Sequence, residues 1–442
     1  MANAILMRSF QQGKAVSNRN VTIATNRILD AYVDKPVETN DKNLSDVVQL
    51  ETELSSKTSS NQTRRDRLDR RDRSTEVQNA CDIFDTNDVE SFREDCRRLD
   101  ITPVTYTYLR NGLHRNESVL NLRNHGIGPA GTIAIIKELI DSAKYIVELE
   151  FSSNKLGDEG TVTVCQFLEN CDSVAHLNLS NNDLNKAGVE AVAHMLPQNK
   201  SLKHLVLSHN RLTEEDCELL ASVLQSEQVL ETLDLSSNLF SPRSGNLFGF
   251  LVSKNVSLVK MNVSCNHIGD EGIRNLAPGL INNRSIRSLD LSWNDIGDEG
   301  AVWMAKMLTS NGVIRDLNLS YNRIAGKGTN FIAKSLAVNG TLNVLKLSGN
   351  SLVSEDAVAL LDSISKNSST KLRHLYLGEV TVSTEVRELF QNILHTNPTF
   401  LVSGMAGAVG QSIRMTSTNT AIEALEDYFA KNKLNPIINL LD

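Results

Sequence analysis

Hydrophobic residues recur along the middle of the chain in fragments of the form Leu-x-Leu-x-x-Asn-x-Leu/Ile/Phe, such as HLNLSNNDL and SLDLSWNDI. Successive fragments lie 28 residues apart over seven consecutive steps, and degenerate copies (VLNLRNHGI and HLYLGEVTV) flank them. A chance apolar pattern would not keep this register over about 200 residues, so the pattern predicts a repeat array. The asparagines of the fragments are Asn154, Asn182, Asn210, Asn238, Asn266, Asn294, Asn322 and Asn350.

Each repeat predicts one strand followed by one helix. In Leu177-Asn178-Leu179 the alternation is that of a short strand whose leucines point into the core while Asn178 points outward. Apolar residues ten and fourteen positions past each fragment asparagine, such as Val192 and Leu196, predict one buried helix face. We expect the fragment asparagine to be buried and to hydrogen-bond backbone groups of its own turn and of the next, which builds a ladder.

The ends of the predicted helices carry two further periodic residues. Glycine six positions past the asparagine suits a tight turn or close packing, and Asp216, Ser244 and Asp356 replace it in other repeats. Asparagine seventeen positions past is expected to end the helix, because it tolerates the left-handed conformation of a C-terminal cap. The glycines are Gly160, Gly188, Gly272, Gly300 and Gly328, and the asparagines are Asn199, Asn255, Asn283, Asn311, Asn339 and Asn367.

Units such as LSWNDIGDEGAVWMAKMLTSNGVIRDLNL resemble the ribonuclease-inhibitor type of leucine-rich repeat. The resemblance covers about residues 118–402. It implies an α/β leucine-rich-repeat solenoid, a horseshoe with a parallel inner sheet and outer helices. Proteins with this repeat include enzyme inhibitors, immune receptors, GTPase activators, actin-end regulators and ciliary scaffold proteins, so the fold alone implies no single function.

Composition and charge narrow the class of protein. Apolar residues make up 40% of the 442 residues and charged residues 22%, which allows a large core and excludes wholesale disorder. The net charge is -8; residues 1–80 hold 13 basic and 11 acidic side chains, net +2, so the remainder carries -10. This acidic body argues against a nucleic-acid partner.

Six cysteines without CxxC spacing indicate reduced thiols. Without a membrane-length apolar run or a signal peptide, we expect a cytoplasmic protein that binds no membrane.

The chain divides into four predicted parts. These are a polar, extended N-terminal tail (1–80), a helical N-terminal cap (81–117), the repeats (118–402) and a glycine-rich hinge with a C-terminal amphipathic helix (403–442). Arginines alternate with aspartates in the tail, at Arg64, Arg65, Arg67, Arg70, Arg71 and Arg73. They indicate either a solvated segment or a tether that lies on an acidic surface such as a tubulin or actin lattice.

Candidate binding residues lie on the inner sheet and on the turns that follow it, where side chains need not pack. Asp234, Asn262, Asp290 and Asn318 stand between the two apolar residues of successive strands and predict a mildly acidic column, because strands stack about 4.8 Å apart. Trp293 and Tyr321 stand just before the fragment asparagine in adjacent repeats, where most other repeats have small or polar residues. They are the candidate protein-binding hot spot, although packing over the loop would also account for them.

The sequence offers little support for catalysis. Asp234 and Asp290 stand two strands apart, roughly 9 to 10 Å between backbones, which could suit an acid and base pair, yet the sequence indicates no pocket. His176 and His204 occupy matching positions on adjacent strands and could share a metal ion, but no third ligand is evident. No nucleophile elbow or nucleotide motif occurs. We therefore expect no enzymatic activity, no cofactor and no metal.

These patterns favour a non-enzymatic protein-interaction scaffold. Repeat style and domain order resemble the leucine-rich-repeat proteins of ciliary doublet microtubules, and this resemblance implies tubulin or other axonemal subunits as partners. One alternative is a regulator of a small GTPase, although the long acidic tail of that class is missing here. Another is an actin-end regulator resembling tropomodulin, for which DKNLSDVVQLETEL is a short candidate helix. The oligomeric state is left open.

Overall fold

The computed structural model describes residues 118–142, 145–406 and 412–415, in which strands and helices alternate. The strands are β1 (Val119–Asn121), β2 (Glu148–Glu150), β3 (His176–Asn178), β4 (His204–Val206), β5 (Thr232–Asp234), β6 (Lys260–Asn262), β7 (Ser288–Asp290), β8 (Asp316–Asn318), β9 (Val344–Lys346), β10 (His374–Thr381), β11 (Leu401–Ala406) and β12 (Ser412–Met415). The helices are α1 (Gly128–Ser142), α2 (Gly157–Leu168), α3 (Lys186–Met195), α4 (Glu214–Leu224), α5 (Ser244–Lys254), α6 (Gly269–Asn282), α7 (Asp298–Ser310), α8 (Gly326–Leu336), α9 (Ser354–Lys366) and α10 (Thr384–Thr396).

The described strands form one sheet in the order β1 to β12. Strands β1 to β11 are parallel, because each helix from α1 to α10 carries the chain back to the start of the next strand. The pairing keeps the 28-residue register, so that Leu149 lies beside Leu177 and Leu177 beside Leu205. This arrangement confirms the predicted α/β leucine-rich-repeat solenoid.

The hydrophobic core lies between the sheet and the helices. The leucines point inward as predicted, with Leu177 and Leu179 buried, and Asn178, which lies between them at the end of β3, is partly exposed on the opposite face. Val192 and Leu196 are buried from the helix side. Both periodic patterns of the sequence therefore supply the same continuous core.

The fragment asparagines form the predicted ladder of buried amides, but in a different direction along the chain. The Oδ1 atom of Asn182 accepts a hydrogen bond from the backbone N–H of Asn154, at 2.8 Å, and its Nδ2 atom donates to the carbonyls of Phe151 and Ser180. In the same way, the Oδ1 atom of Asn210 accepts from the N–H of Asn182, and its Nδ2 atom donates to the carbonyl of Leu179. Each amide thus serves its own turn and the preceding repeat. The expected link to the next repeat was wrong in direction, because the side chain projects back towards the earlier turn.

The asparagines seventeen positions past the ladder form a second buried ladder, and the predicted left-handed caps are wrong. Asn255 and Asn283 have φ near -65° and ψ near 140°, which is extended backbone. The Nδ2 atom of Asn255 donates to the carbonyl of Leu224 in the preceding helix at 2.7 Å, and its Oδ1 atom accepts from the N–H of Leu258. The residue type is favoured here for its side-chain amide, which satisfies helix-end carbonyls of the neighbouring repeat.

The periodic glycines permit close packing between the first turns of successive helices. The Oδ1 atom of Asp158, in α2, accepts hydrogen bonds from the N–H groups of Asn185 and Gly188 at the start of α3. A Cβ atom at Gly188 would lie 2.9 Å from that oxygen. Asp270 and Asp298 repeat the arrangement towards the helices that follow them.

The C-terminal end of the described sheet departs from the repeat. Strand β11 pairs in parallel with β10 and in antiparallel with β12, so the sheet extends past residue 402, where the sequence placed the start of a hinge. Gly404 has φ of +76°, and a Cβ atom there would lie 2.8 Å from the Gly378 nitrogen, so glycine allows the strands to approach closely.

Several predictions lie outside the described residues. These are the tail (1–80) with its six arginines, the cap (81–117) and the amphipathic helix proposed to begin at Thr420. Among the helices that the structure describes, none has the length and apolar character required to cross a membrane.

Candidate functional site

The residue just before each ladder asparagine adopts a left-handed backbone conformation, and these residues form one column along the turns that follow the strands. We call this set the turn column; it comprises Ser153, Asn181, His209, Ser237, Cys265, Trp293, Tyr321 and Gly349. Trp293 has φ of 55° and Tyr321 of 54°. This conformation costs a residue other than glycine on the order of 1 to 2 kcal/mol and is unusual for bulky side chains.

Trp293 and Tyr321, the aromatic pair, stack face to face on the surface. Their ring centroids are 4.4 Å apart with planes 10° from parallel. Both remain about half exposed, at 54% and 50%. The structure therefore brings the two predicted hot-spot residues together, and each side chain remains about half exposed to solvent.

Gly349 lies against the Tyr321 ring of the aromatic pair. The sequence did not predict this contact. A Cβ atom at Gly349 would lie 2.4 Å from the Cδ1 atom of Tyr321. The Tyr321 ring thus lies between the Trp293 ring and the bare backbone of the next turn. The signal that could have revealed it is the change from aromatic to glycine at the same repeat position.

A charged rim accompanies the aromatic pair two residues further along the same turns. Arg323 donates from Nη2 to the carbonyl of Asp295 at 2.6 Å, and its Nε atom lies 3.9 Å from the Asp295 Oδ1 atom. The His267 Nδ1 atom lies 3.4 Å from Asp295 Oδ2. Aromatic side chains bordered by exposed charged groups are typical of protein-binding surfaces.

The four candidate residues at the ends of strands β5 to β8 form two separate hydrogen-bonded pairs. Asn262 donates from Nδ2 to Asp234 Oδ2 at 3.0 Å, and Asn318 donates to Asp290 Oδ2 at 2.8 Å. The other oxygen of each aspartate accepts from the backbone N–H and the hydroxyl of a serine, Ser236 and Ser292 respectively. These carboxylates therefore have internal partners, and the acidic column is organised by hydrogen bonds along the sheet.

His176 and His204 lie side by side, with ring centroids 3.9 Å apart. Burial, followed by the neighbouring His176 ring, lowers the pKa of His204 below 6.5. In the part of the chain that the structure describes, no group of three His, Cys, Asp or Glu side chains is placed to hold a metal ion. Of the described thiols, Cys165 and Cys217 are buried, which raises their pKa, whereas Cys265 is exposed in the turn column.

A match to a known repeat family agrees with the repeat architecture. The family model described as Leucine Rich repeat matches residues 143–165, 170–193, 198–221, 254–277 and 282–305. A leucine-rich repeat-containing protein from Legionella pneumophila, LegL7, is 19% identical in sequence, with a TM-score of 0.44 over 70% of this chain and 98% of that one.

Two further solved structures are similar over shorter stretches. The actin-binding site 2 of leiomodin-1 is 19% identical, covering 42% of this chain and 95% of that one with a TM-score of 0.30. The tropomodulin C-terminal domain of Caenorhabditis elegans is 19% identical, covering 35% of this chain and 92% of that one with a TM-score of 0.29.

Proposed function

We propose that this leucine-rich-repeat protein is a non-enzymatic scaffold that captures a protein partner on the aromatic pair, Trp293 and Tyr321. The observation that carries the proposal is the stacked, half-exposed geometry of two large aromatic side chains in left-handed backbone positions. Large aromatic side chains that remain partly exposed are typical of protein-binding hot spots.

The solvent exposure of the aromatic pair favours a role in binding over a role in core packing. Two left-handed residues together cost on the order of 2 to 4 kcal/mol, whereas an aromatic stack returns about 0.5 to 1.5 kcal/mol. The same backbone conformation occurs throughout the turn column, so the cost belongs to the repeated turn and the stack offsets only part of it. A partner that covers both rings would add the burial of their exposed faces, at roughly 25 cal/mol per Å².

The solenoid supplies a rigid support for this surface. The ladder amide of Asn294 directly follows Trp293 and is fully buried, and the backbone N–H of Tyr321 donates to the carbonyl of Ser348 at 2.7 Å. Because the turns are held before binding, the partner would be captured with little loss of conformational entropy.

A narrower proposal places the protein in the cytoplasm as a structural component of the ciliary axoneme or another cytoskeletal assembly. It is supported by the resemblance of repeat style and domain order to axonemal proteins of the ribonuclease-inhibitor repeat type. In that role the tail arginines, Arg64 to Arg73, would tether the chain to an acidic lattice such as tubulin. The two Asp-Asn pairs of the sheet would supply polar contacts to the same partner.

Two other functions are carried as alternatives. A regulator of a small GTPase would bind a soluble GTPase through the same aromatic pair, on the turns that follow the strands. An actin-end regulator would bind filament ends and would require tropomyosin-binding helices in the tail (1–80). Both predict a location different from that of an axonemal component.

One localisation experiment tests the function and the site together. The tagged full-length protein and the double variant Trp293→Ala/Tyr321→Ala are expressed in a ciliated cell, and retention on axonemes is measured after extraction with detergent and moderate salt. We expect the wild-type protein to be retained and the variant to bind about tenfold more weakly or worse, as is usual for paired aromatic hot-spot residues. The melting curve should be nearly unchanged, because both rings are on the surface.

The matched control is Phe250→Ala/Phe331→Ala, which removes two exposed aromatic rings from the outer helices α5 and α8. It should be retained like the wild type. Wild-type protein that is diffuse and freely extracted would reject the axonemal role and favour GTPase regulation. Retention of the Trp293/Tyr321 variant at the wild-type level would instead reject the hot spot.

A further inference from the structure

A groove lined by cations lies along the repeats on the edge that precedes the strands, opposite the edge that carries the aromatic pair. Its volume is about 720 Å³. Five of the lining residues are basic: Arg284, Arg287, Arg315, Lys371 and Arg373. Four threonines and two asparagines line it as well, and none of the lining residues is acidic. This composition contrasts with the net charge of -8 of the whole chain.

The central arginines of the groove stand at equivalent repeat positions. Arg287, Arg315 and Arg373 each come immediately before a strand, β7, β8 and β10, and Asn343 fills the position before β9. Backbone hydrogen bonds join these positions: Arg315 N–H donates to the Arg287 carbonyl at 2.8 Å, and Arg373 N–H to the Asn343 carbonyl at 2.8 Å. With strands about 4.8 Å apart, the column spans about 14 Å.

The described ion pairs leave these cations unneutralised. Within the ranges that the structure describes, no ion pair includes any of the five basic residues of the groove. The same column further towards the N-terminus behaves differently, since Lys203 before β4 pairs with Glu231 before β5 at 2.8 Å. Like charges on adjacent strands destabilise a sheet, so an uncompensated arginine column is expected where an external anion supplies the compensation.

We propose that this groove binds an extended acidic segment of another protein, with carboxylates at alternate positions. An extended chain rises about 3.4 Å per residue, so side chains on one face repeat about every 6.8 Å, and three of them span about 13.6 Å, close to the length of the arginine column. Guanidinium groups bind carboxylates bidentately. Threonine and asparagine side chains along the groove can hydrogen-bond the peptide backbone.

A single-stranded nucleic acid fits the groove less well. The lining residues include no aromatic side chain on which a base could stack. The acidic body also repels a long polyanion, whereas a short peptide segment meets only the local positive field. This proposal is independent of the proposed function, because the groove and the aromatic pair lie on opposite edges of the sheet.

The test measures binding of a fluorescent peptide, Glu-Ser-Glu-Ser-Glu-Ser-Glu, to the full-length protein by anisotropy, with the Gln-Ser analogue as the neutral probe. We expect the acidic probe to bind, the neutral probe to show no binding, and affinity to fall as salt rises. The double variant Arg287→Gln/Arg315→Gln should weaken binding about tenfold or more. Arg274→Gln/Lys327→Gln removes the same charge from exposed helix positions and should leave binding within about twofold.

Three outcomes would overturn the proposal. The first is equal binding by the two double variants, which would show that net charge and not the groove holds the probe. The second is displacement of the peptide by an eight-nucleotide oligo-dT at lower concentration than by unlabelled peptide, which would assign the groove to nucleic acid. The third is tighter probe binding when Glu423, Glu426 and Asp427 are replaced by glutamine, which would show that the chain's own C-terminal segment occupies the groove. Circular dichroism melting of each variant controls for folding.

Discussion

A buried amide stabilises a fold only when its donors and its acceptor are all matched, and the ladder asparagines meet this condition. The Nδ2 atom of Asn210 donates to the carbonyls of Leu179 and Leu207, and its Oδ1 atom accepts from the N–H of Asn182. Loss of such partners leaves buried polar atoms at a cost of about 1 to 3 kcal/mol each. The same residue type therefore joins each turn to the preceding repeat through its Nδ2 atom.

His204 gives a residue-scale prediction about pH. Burial and the His176 ring lower its pKa in the folded state, against the opposing effect of Glu231, so the unfolded chain takes up this proton first as the pH falls below 6.5. The stability that the neutral His204 side chain contributes at neutral pH is therefore lost as the pH falls towards its lowered pKa. Between about pH 7.5 and pH 5.5 we expect the melting temperature of His204→Gln to fall by less than that of the wild type.

Thermal melts across that pH range check this expectation. His209→Gln provides the comparison, because His209 is exposed in the turn column and lies outside the stacked histidines. If the wild type and His204→Gln lose melting temperature equally with falling pH, the protonation of His204 does not destabilise the fold.

At the scale of elements, three helices, α2, α6 and α7, are each joined to the next helix by the carboxylate of an aspartate in the first turn. Asp158 accepts from two N–H groups at the start of α3, which would otherwise have no partner within that helix. The close approach requires the glycine at 188, so the aspartate of one repeat and the glycine of the next act together.

The coupling of Asp158 and Gly188 predicts a change of sign. Gly188→Ala in the wild-type chain should destabilise, because the new Cβ atom would lie 2.9 Å from the Asp158 carboxylate. In the Asp158→Ala background the same change should stabilise by up to about 1 kcal/mol, since alanine is the better helix former. Chemical denaturation of the four variants measures the coupling.

Gly312→Ala is the control for this cycle, because a Cβ atom there meets nothing within 4 Å. Its effect should be the same in both backgrounds. An equal effect of Gly188→Ala with and without Asp158 would show that the two residues are not coupled.

The sequence predicts the strands and helices well where residue types recur with the repeat. It predicts less well those details that depend on the backbone conformation at a single position. The alternation around Leu177 and the helical spacing of Val192 and Leu196 located strand, helix and core, because burial follows these periods directly. The role of Asn255 was misassigned, since residue type alone does not distinguish a left-handed cap from a side-chain cap. The strain at Trp293 was not foreseen, because the turn geometry imposes it on whichever residue stands there.

The candidate binding surfaces were predictable only in part for a related reason. The sequence predicts Trp293 and Tyr321 because aromatic residues recur at one repeat position, but it gives no comparable periodic signal for the arginine column. Asn343 interrupts that column, and Arg373 stands 58 residues past Arg315, two more than twice the repeat length. A charge pattern of this kind becomes visible only when the strands are laid side by side.

At the scale of the whole molecule, each repeat within the described ranges packs mainly on its two neighbours, as the strand order from β1 to β12 shows. Stability in such an array is approximately a sum over repeats and their interfaces. The ends are the exception, because an end repeat packs on a neighbouring repeat on one side only. The antiparallel strand β12 ends the parallel array at one side.

The tail gives a prediction at this scale. Deletion of residues 1–80 should leave a folded chain with the helix content and melting temperature of the repeats, because the repeat pattern begins near residue 118. Circular dichroism and size-exclusion chromatography of the truncated chain check this. Aggregation of that chain would show that part of the tail covers the first repeat and that the boundary at residue 80 is misplaced.

The direction of the asparagine ladder has a consequence for synthesis on the ribosome. The backbone N–H of Asn154 finds its partner in Asn182, and that of Asn182 in Asn210, so each turn is completed by a residue translated 28 positions later. At about 5 to 20 residues per second, each newly emerged turn waits roughly 1.4 to 6 s for its closing amide. The nascent chain therefore always carries one unfinished turn at its growing end, and it acquires order in the direction of translation.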